Sequence, residues 1–153
     1  MSISEQDVRE LIDVMDHARD RWINGQLDFS PAGPFHQADD TTIFGPFGGT
    51  GPPPDIAVKD LEARQAAVAA QFHGGEGSCE VIRTIVEGNL VVLVMIERSE
   101  VRFAVRDAPH RWVLRTTQVF TRSDGQWVRL HRHADPLIVG RSLEATLALL
   151  ATE

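Results

Sequence analysis

Residues 115–136 read RTTQVFTRSDGQWVRLHRHADP, and this stretch decides the fold. Two β-rich runs, 111–121 and 126–133, flank Ser123-Asp124-Gly125. Asp-Gly between such runs marks a hairpin, because both residues tolerate the positive φ of a tight turn. Working upstream, Gly88-Asn89 is a second hairpin signal between the Val- and Ile-rich residues 79–87 and the almost unbroken apolar run 90–96. A run without polar interruptions reads as a strand covered on both faces. Residues 101–105 continue or restart it, and 107–110 form a loop, which gives about four antiparallel strands in the C-terminal half.

The N-terminal half is helical and irregular. Ser4 with Asp7 resembles a capping box, and Val8, Leu11, Ile12, Met15 and Trp22 share one face at helical spacing before Asn24-Gly25, which predicts a helix over 5–23. Residues 31–54 hold six of the eight prolines and five of the twelve glycines, so they are turns around a short candidate strand at 41–44. Asp55 is placed to cap a second helix carrying Leu61, Val68 and Phe72 and ending at His73-Gly74-Gly75, and Ser142 to cap a short C-terminal helix with Leu143, Leu147 and Leu150. Helices followed by a meander predict an α+β domain with helices on one face of a sheet.

The chain of 153 residues is expected to form one domain, 1–153, with a core over about 4–138 and the short helix over 142–151. Hydrophobic content of 42% with 24% charge predicts a packed core. A formal charge of -7 gives phosphate backbones no global attraction, so nucleic acid is not expected as a partner. No apolar run is long enough for a membrane span, and MSISEQDVRE has acids where a secretion signal needs basic residues, so a cytoplasmic protein away from membranes is expected. The lone Cys79 leaves no internal disulfide. Charge is uneven: residues 1–97 hold sixteen acids and six bases, residues 98–141 nine arginines and four acids. Those arginines are either solvated strand faces or, for one or two of them, lining for a cavity or subunit interface.

Three stretches resemble one family: ADDTTIFGPFGG at 38–49, RTTQVFTRSDGQW at 115–127 and HRHADP at 131–136. With the helices between them they are similar to the SnoaL-like branch of the nuclear transport factor 2-like superfamily, which also includes the association domain of calcium/calmodulin-dependent kinase. The resemblance implies a cone: a strongly curved antiparallel sheet wrapped around the N-terminal helices, with a pocket open at one end and usually a dimer. It also implies that Thr116, Gln118 and Phe120, with Leu130 and Arg132, face the pocket, whereas Arg115, Arg129, His131 and His133 face away. The expected ligand-binding residues are Phe44, Val92, Val94, Thr116, Gln118, Leu130 and Arg132. They suit a small, largely apolar organic ligand with one acidic or carbonyl end. Alternatively, Gln118 and Arg132 pair with each other or with Glu97 near the mouth. A one-residue bulge at Asp124-Gly125 would alter this register.

The ketosteroid isomerases of this superfamily use a basic Asp, a protonated Asp and a Tyr. Gly45 and Thr116 stand at the first two positions, and the chain has no tyrosine, so that mechanism is excluded and catalytic residues are unassigned. Asp39 and Asp40 read as turn or capping residues. His131, His133 and Asp135 form an HxHxD pattern after Gly125, but the rest of a cupin-type metal motif is missing, so no metal is predicted. Arg115, His131 and His133 are instead placed at a homodimer interface on the convex sheet face, whose association weakens as the histidines protonate. FGPFGGTG at 44–51 lacks the Lys-Ser/Thr ending of a phosphate loop and reads as a lip of the pocket; no cofactor is expected. Cys79 has no nucleophile pattern. The functional expectation is a small-molecule-binding protein, or an enzyme of small organic-molecule metabolism. The alternative is a non-catalytic dimerisation or association module with a vestigial pocket. A third reading, acid/base chemistry by Glu97 or Asp135, requires one of these carboxyls inside the cavity with a raised pKa.

Overall fold

Ser4 and Asp7 close a reciprocal cap: the Asp7 amide donates to Ser4 Oγ at 3.2 Å, and the Ser4 amide donates to Asp7 Oδ2 at 2.8 Å. The cap satisfies amides that the first helical turn leaves unpaired, and α1 runs Glu5–Ile23 as the sequence predicts. The computed structural model describes residues 2–27, 29 and 33–151. Pro31 and Ala32 of the turn-rich stretch lie outside them.

After α1 come β1 (His36–Phe44), α2 (Val58–Ala69), β2 (Phe72–Glu87), β3 (Leu90–Phe103), β4 (His110–Ser123), β5 (Gln126–Pro136) and α3 (Leu143–Leu150). The strands form one open sheet in the order β1-β5-β4-β3-β2. The α+β arrangement is the expected one, but the sheet is mixed. β2 to β5 are antiparallel neighbours, and β1 joins the free edge of β5 in parallel. Leu11 and Met15 of α1 pack with Val91, Leu93 and Met95 of β3, Phe35, Phe120 and Trp127. Ile23, Phe72 and Val101 form a second cluster, with Trp22, Val68, Phe103 and Trp112 packed against it. Among the described residues no helix is long and apolar enough to cross a membrane.

Several boundaries differ from the sequence reading: β1 begins at His36 rather than 41, β2 at Phe72 rather than 79, and the second helix differs at both ends. The second helix starts at Val58 after Ala57, without a side-chain cap from Asp55, and ends at Ala69. His73-Gly74-Gly75 belongs to β2, where glycine serves close strand approach: a Cβ on Gly75 would stand 2.2 Å from the Glu100 carbonyl oxygen. The Asp124-Gly125 turn contains no bulge. Both residues have positive φ, 49° and 79°, and Ser123 pairs directly with Gln126, a tight two-residue connection. The bulge lies further down the same hairpin. Val119 is opposite His131 but Phe120 is opposite Arg129, so Leu130 is the extra residue.

Candidate functional site

That bulge builds the site. Regular alternation would send Arg129 and Arg132 to opposite faces of the sheet; one inserted residue lets both turn to the inner face. They line a cavity of about 450 Å³ between the sheet, α1, α2 and the segment 45–52. Trp22 and Ile23 from α1, Leu61 from α2, Phe29 and Phe35 supply apolar wall, and Gln118, Glu97 and the two arginines supply a polar end. The volume suits a small organic molecule.

The polar end is asymmetric in charge. Arg132 meets Glu97 with two parallel hydrogen bonds, Nη1 to Oε1 at 2.7 Å and Nη2 to Oε2 at 3.0 Å. Their side chains are only 19% and 11% exposed, so each charge depends on the other. Burial opposes the ionised form of Glu97, yet Arg132, with Arg129 and Arg19 beyond it, holds its carboxyl below the usual glutamate range. Arg132 is held above the ordinary arginine value: burial works against its charge, and Glu97 outweighs it.

Among the described residues, Arg129 has no carboxylate of its own. Its Nη2 donates to Gln37 Oε1 at 2.7 Å and its Nη1 to Gln118 Oε1 at 3.3 Å, while Nε is buried without a protein partner. Gln37 is held in turn by Gln65 of α2 at 2.9 Å. The Arg129 guanidinium lies 4.6 Å above the Phe35 ring, a weak substitute for a counter-ion. Burial, with the repulsion of Arg132, pushes its pKa down to about 9 despite attraction from Glu97. Arg19 reaches the same cavity from α1, donating to the Gly77 carbonyl at 2.9 Å and pairing with Asp16. A buried cation with only neutral acceptors is short of an anion.

The expected site residues divide into two groups. Gln118 and Arg132 line the cavity, and Arg132 also makes the anticipated pair with Glu97. Thr116 points inward, buried, with no partner for its hydroxyl. Val92, Val94, Leu130 and Phe44 do not line it, which corrects their placement. On β3 the inner residues are Val91, Leu93, Met95, Glu97 and Ser99, so Val92 and Val94 occupy the outer face opposite Val119 and Thr117. The run 90–96, expected to be covered on both faces, is buried on one and half-buried on the other. Leu130 is displaced by its own bulge, and Arg129, expected to face away, takes the inward place. Phe44 is 45% exposed and packs edge-on against the His131 and His133 rings, leaving its neighbours Ile43 and Gly45 to the cavity.

The outer face carries the other cluster. His131 Nδ1 bonds Thr42 Oγ1 at 2.7 Å, His133 Nε2 bonds Asp135 Oδ1 at 3.3 Å, and Arg115 pairs with Asp135 at 3.2 Å. Burial and the neighbouring His133 lower the His131 pKa below the ordinary histidine value, despite an opposing hydrogen bond that the ring makes to the Thr42 backbone. Asp135 is outside the cavity, and Glu97 inside it is held ionised rather than raised, so neither meets the requirement for acid/base chemistry. Asp39 and Asp40 are exposed in β1 where its pairing with β5 is interrupted.

An open mixed sheet with helices packed beside it and a cavity between them defines a class of pocket-bearing α+β domains. No family model and no curated protein matches the sequence, but solved structures match the fold. A nuclear transport factor 2-like superfamily protein from Salmonella enterica serovar Typhimurium aligns with TM-score 0.61 at 15% identity, over 90% of this chain and 94% of that one. A protein of the same family from Streptomyces avermitilis, provisionally named a dehydratase, gives 0.63 at 16%, over 88% and 99%. The calcium/calmodulin-dependent kinase II hub of S. rosetta gives 0.61 at 13%, over 84% and 95%. The fold is the nuclear transport factor 2-like fold; at these identities the likeness extends to the fold alone.

Proposed function

We propose that this is a cytoplasmic small-molecule-binding protein of the SnoaL-like type, whose cavity takes a mostly apolar organic molecule with an acidic or carbonyl end. The end sits on Arg129 beside the Arg132–Glu97 pair. The observation that carries this reading is the Arg129 guanidinium, buried against an apolar wall with neutral acceptors and an unpartnered Nε. A carboxylate there would give a charge-assisted, two-pronged contact, the geometry for which arginine is better suited than lysine. Thermal melts with 2-naphthoate and with the neutral 2-naphthamide test it. The acid should raise the melting temperature of the wild type and leave Arg129→Gln unchanged; equal shifts by acid and amide would refute it.

A second reading, compatible with the first, concerns assembly. Val92, Val94, Ile96 and Val119 form a half-buried apolar band on the outer face, flanked by Phe44, His131, His133 and Arg115. We infer a homodimer through this face, supported by the fold shared with a kinase hub domain. Sedimentation of the wild type against Val94→Asp decides it: a dimer that the aspartate converts to monomer is the expected result, and a wild-type monomer the contrary one.

A further inference from the structure

Beside the main cavity lies a second hollow of about 310 Å³, and Phe47, Val68 and Trp112 line both. We propose that this hollow is an antechamber that collects the anionic ligand before it passes Phe47 into the Arg129 cavity, an inference that rests on the anion-binding reading above.

The chemistry of the hollow fits that task. Its floor is aromatic: Trp112 packs edge-on against Phe72 at 5.2 Å and Phe103 at 5.7 Å, presenting apolar surface to a ring or chain. Its rim carries Arg106, His110 and Arg111, and no carboxylate lines it among the described residues. Among the described residues, none of these three makes an ion pair. The chain as a whole is formally -7, so this cationic rim stands out against a negative net charge. A local cationic cleft in such a field raises the encounter rate of an anionic ligand. The binding energy itself resides further in, where Arg129 is desolvated.

The partition between the two hollows is light. Phe47 is 69% exposed, and its ring meets Trp112 at 5.9 Å with a 40° tilt. It rides on a glycine-rich lip. A Cβ on Gly45, Gly48 or Gly49 would meet nothing within 4 Å, so there is open space beside the lip at these three positions. At Gly51 the backbone is pinned: φ is +73°, and a Cβ would come 2.7 Å from the Ile43 carbonyl oxygen. A segment pinned at one end, with open space beside its glycines, can swing that exposed ring aside at the cost of its single ring contact with Trp112.

Stopped-flow fluorescence with 8-anilinonaphthalene-1-sulfonate and with N-phenyl-1-naphthylamine, the same rings without the sulfonate, tests the route. In the Arg106→Gln/Arg111→Gln variant, both changes on the exposed rim, the association rate constant of the sulfonate should fall by about five-fold or more at low salt. Its dissociation rate and the rates of the neutral probe should stay unchanged, and the salt dependence of sulfonate association should flatten. Phe47→Ala should accelerate both association and dissociation of both probes, with the dissociation constant held within about two-fold. Unaltered sulfonate association in the rim variant, or unaltered rates in Phe47→Ala, overturns the antechamber. If Arg129→Gln abolishes sulfonate binding while the rim variant leaves its rates untouched, the antechamber falls and the cavity reading stands. If wild type binds neither probe, or Arg129→Gln binds the sulfonate as tightly as wild type, both fall.

Discussion

Replacing Glu97 by glutamine removes the only carboxylate among the described lining residues of the cavity and leaves Arg132 and Arg129 facing each other's charge. The pair is bidentate and both side chains are at least four-fifths buried, so solvent compensates little for the loss. Breaking such a pair from one side costs about 3–5 kcal/mol. For a domain of this length that is a fall of roughly 6–20 °C in melting temperature. Removing both partners in Glu97→Gln/Arg132→Met should restore most of the stability, because a neutral apolar pair needs no counter-ion, giving a coupling of about 2 kcal/mol or more. Urea unfolding followed by circular dichroism reads all four corners of the cycle. The pH dependence has a definite sign. Glu97's folded pKa is depressed, so its contribution is complete above the unfolded value, near pH 4, and is lost as pH falls through the lower folded value. The difference between wild type and Glu97→Gln should be flat from pH 5 to 7 and shrink only below about pH 4. A cost under about 1 kcal/mol, additive double-mutant behaviour, or a difference that fades already at pH 6 would refute the buried pair.

Three further outcomes follow from the same geometry. Arg129→Met removes a penalised cation but orphans the Gln37 and Gln118 carbonyls, so the two effects offset; stability should change by less than about 2 kcal/mol while the stabilisation by 2-naphthoate disappears. A loss as large as that of Glu97→Gln would mean Arg129 is a structural ion rather than a ligand site. Burial, with Glu97 nearby, pushes the Cys79 thiol up to about 12, so iodoacetamide at pH 8 should label the folded protein negligibly and the urea-unfolded protein fully; rapid labelling of the native state would contradict this burial. On the outer face, His131 protonates only below the ordinary histidine range and then sits beside His133, so the homodimer we infer should persist at pH 8 and loosen at pH 5 in sedimentation; an unchanged dimer at pH 5 removes the histidines from the interface.

Much of the fold is written locally in the chain. The Ser4–Asp7 cap, the Asp124-Gly125 turn and the Ser142 cap each depend on side-chain and backbone chemistry within a few residues, and each forms where those residues stand. Glycine was ambiguous: Gly74-Gly75 follows a helical pattern like a stop signal, but serves close approach to β3, a contact with residues far along the chain. The pocket lining was legible only where alternation held. Gln118 and Arg132 obey it. Val92 and Val94 lie in a run with no polar residue to mark a face until Glu97, whose parity groups it with Val91, Leu93 and Met95. Arg129 was hidden by the bulge at Leu130, since nothing in VRLHR distinguishes an inserted residue from a paired one. The outermost strand was hard to orient as well, because its parallel pairing with β5 is made across about ninety residues of sequence and sends Phe44 outward.

The most direct measurement is a crystal soaked in 2-naphthoate. A naphthalene ring against Phe35 and Trp22, with a carboxylate oxygen within about 3 Å of an Arg129 nitrogen and the Arg132–Glu97 pair intact, is what the account predicts. A carboxylate seated at the mouth or on the outer face, with Arg129 still held only by Gln37 and Gln118, would contradict it.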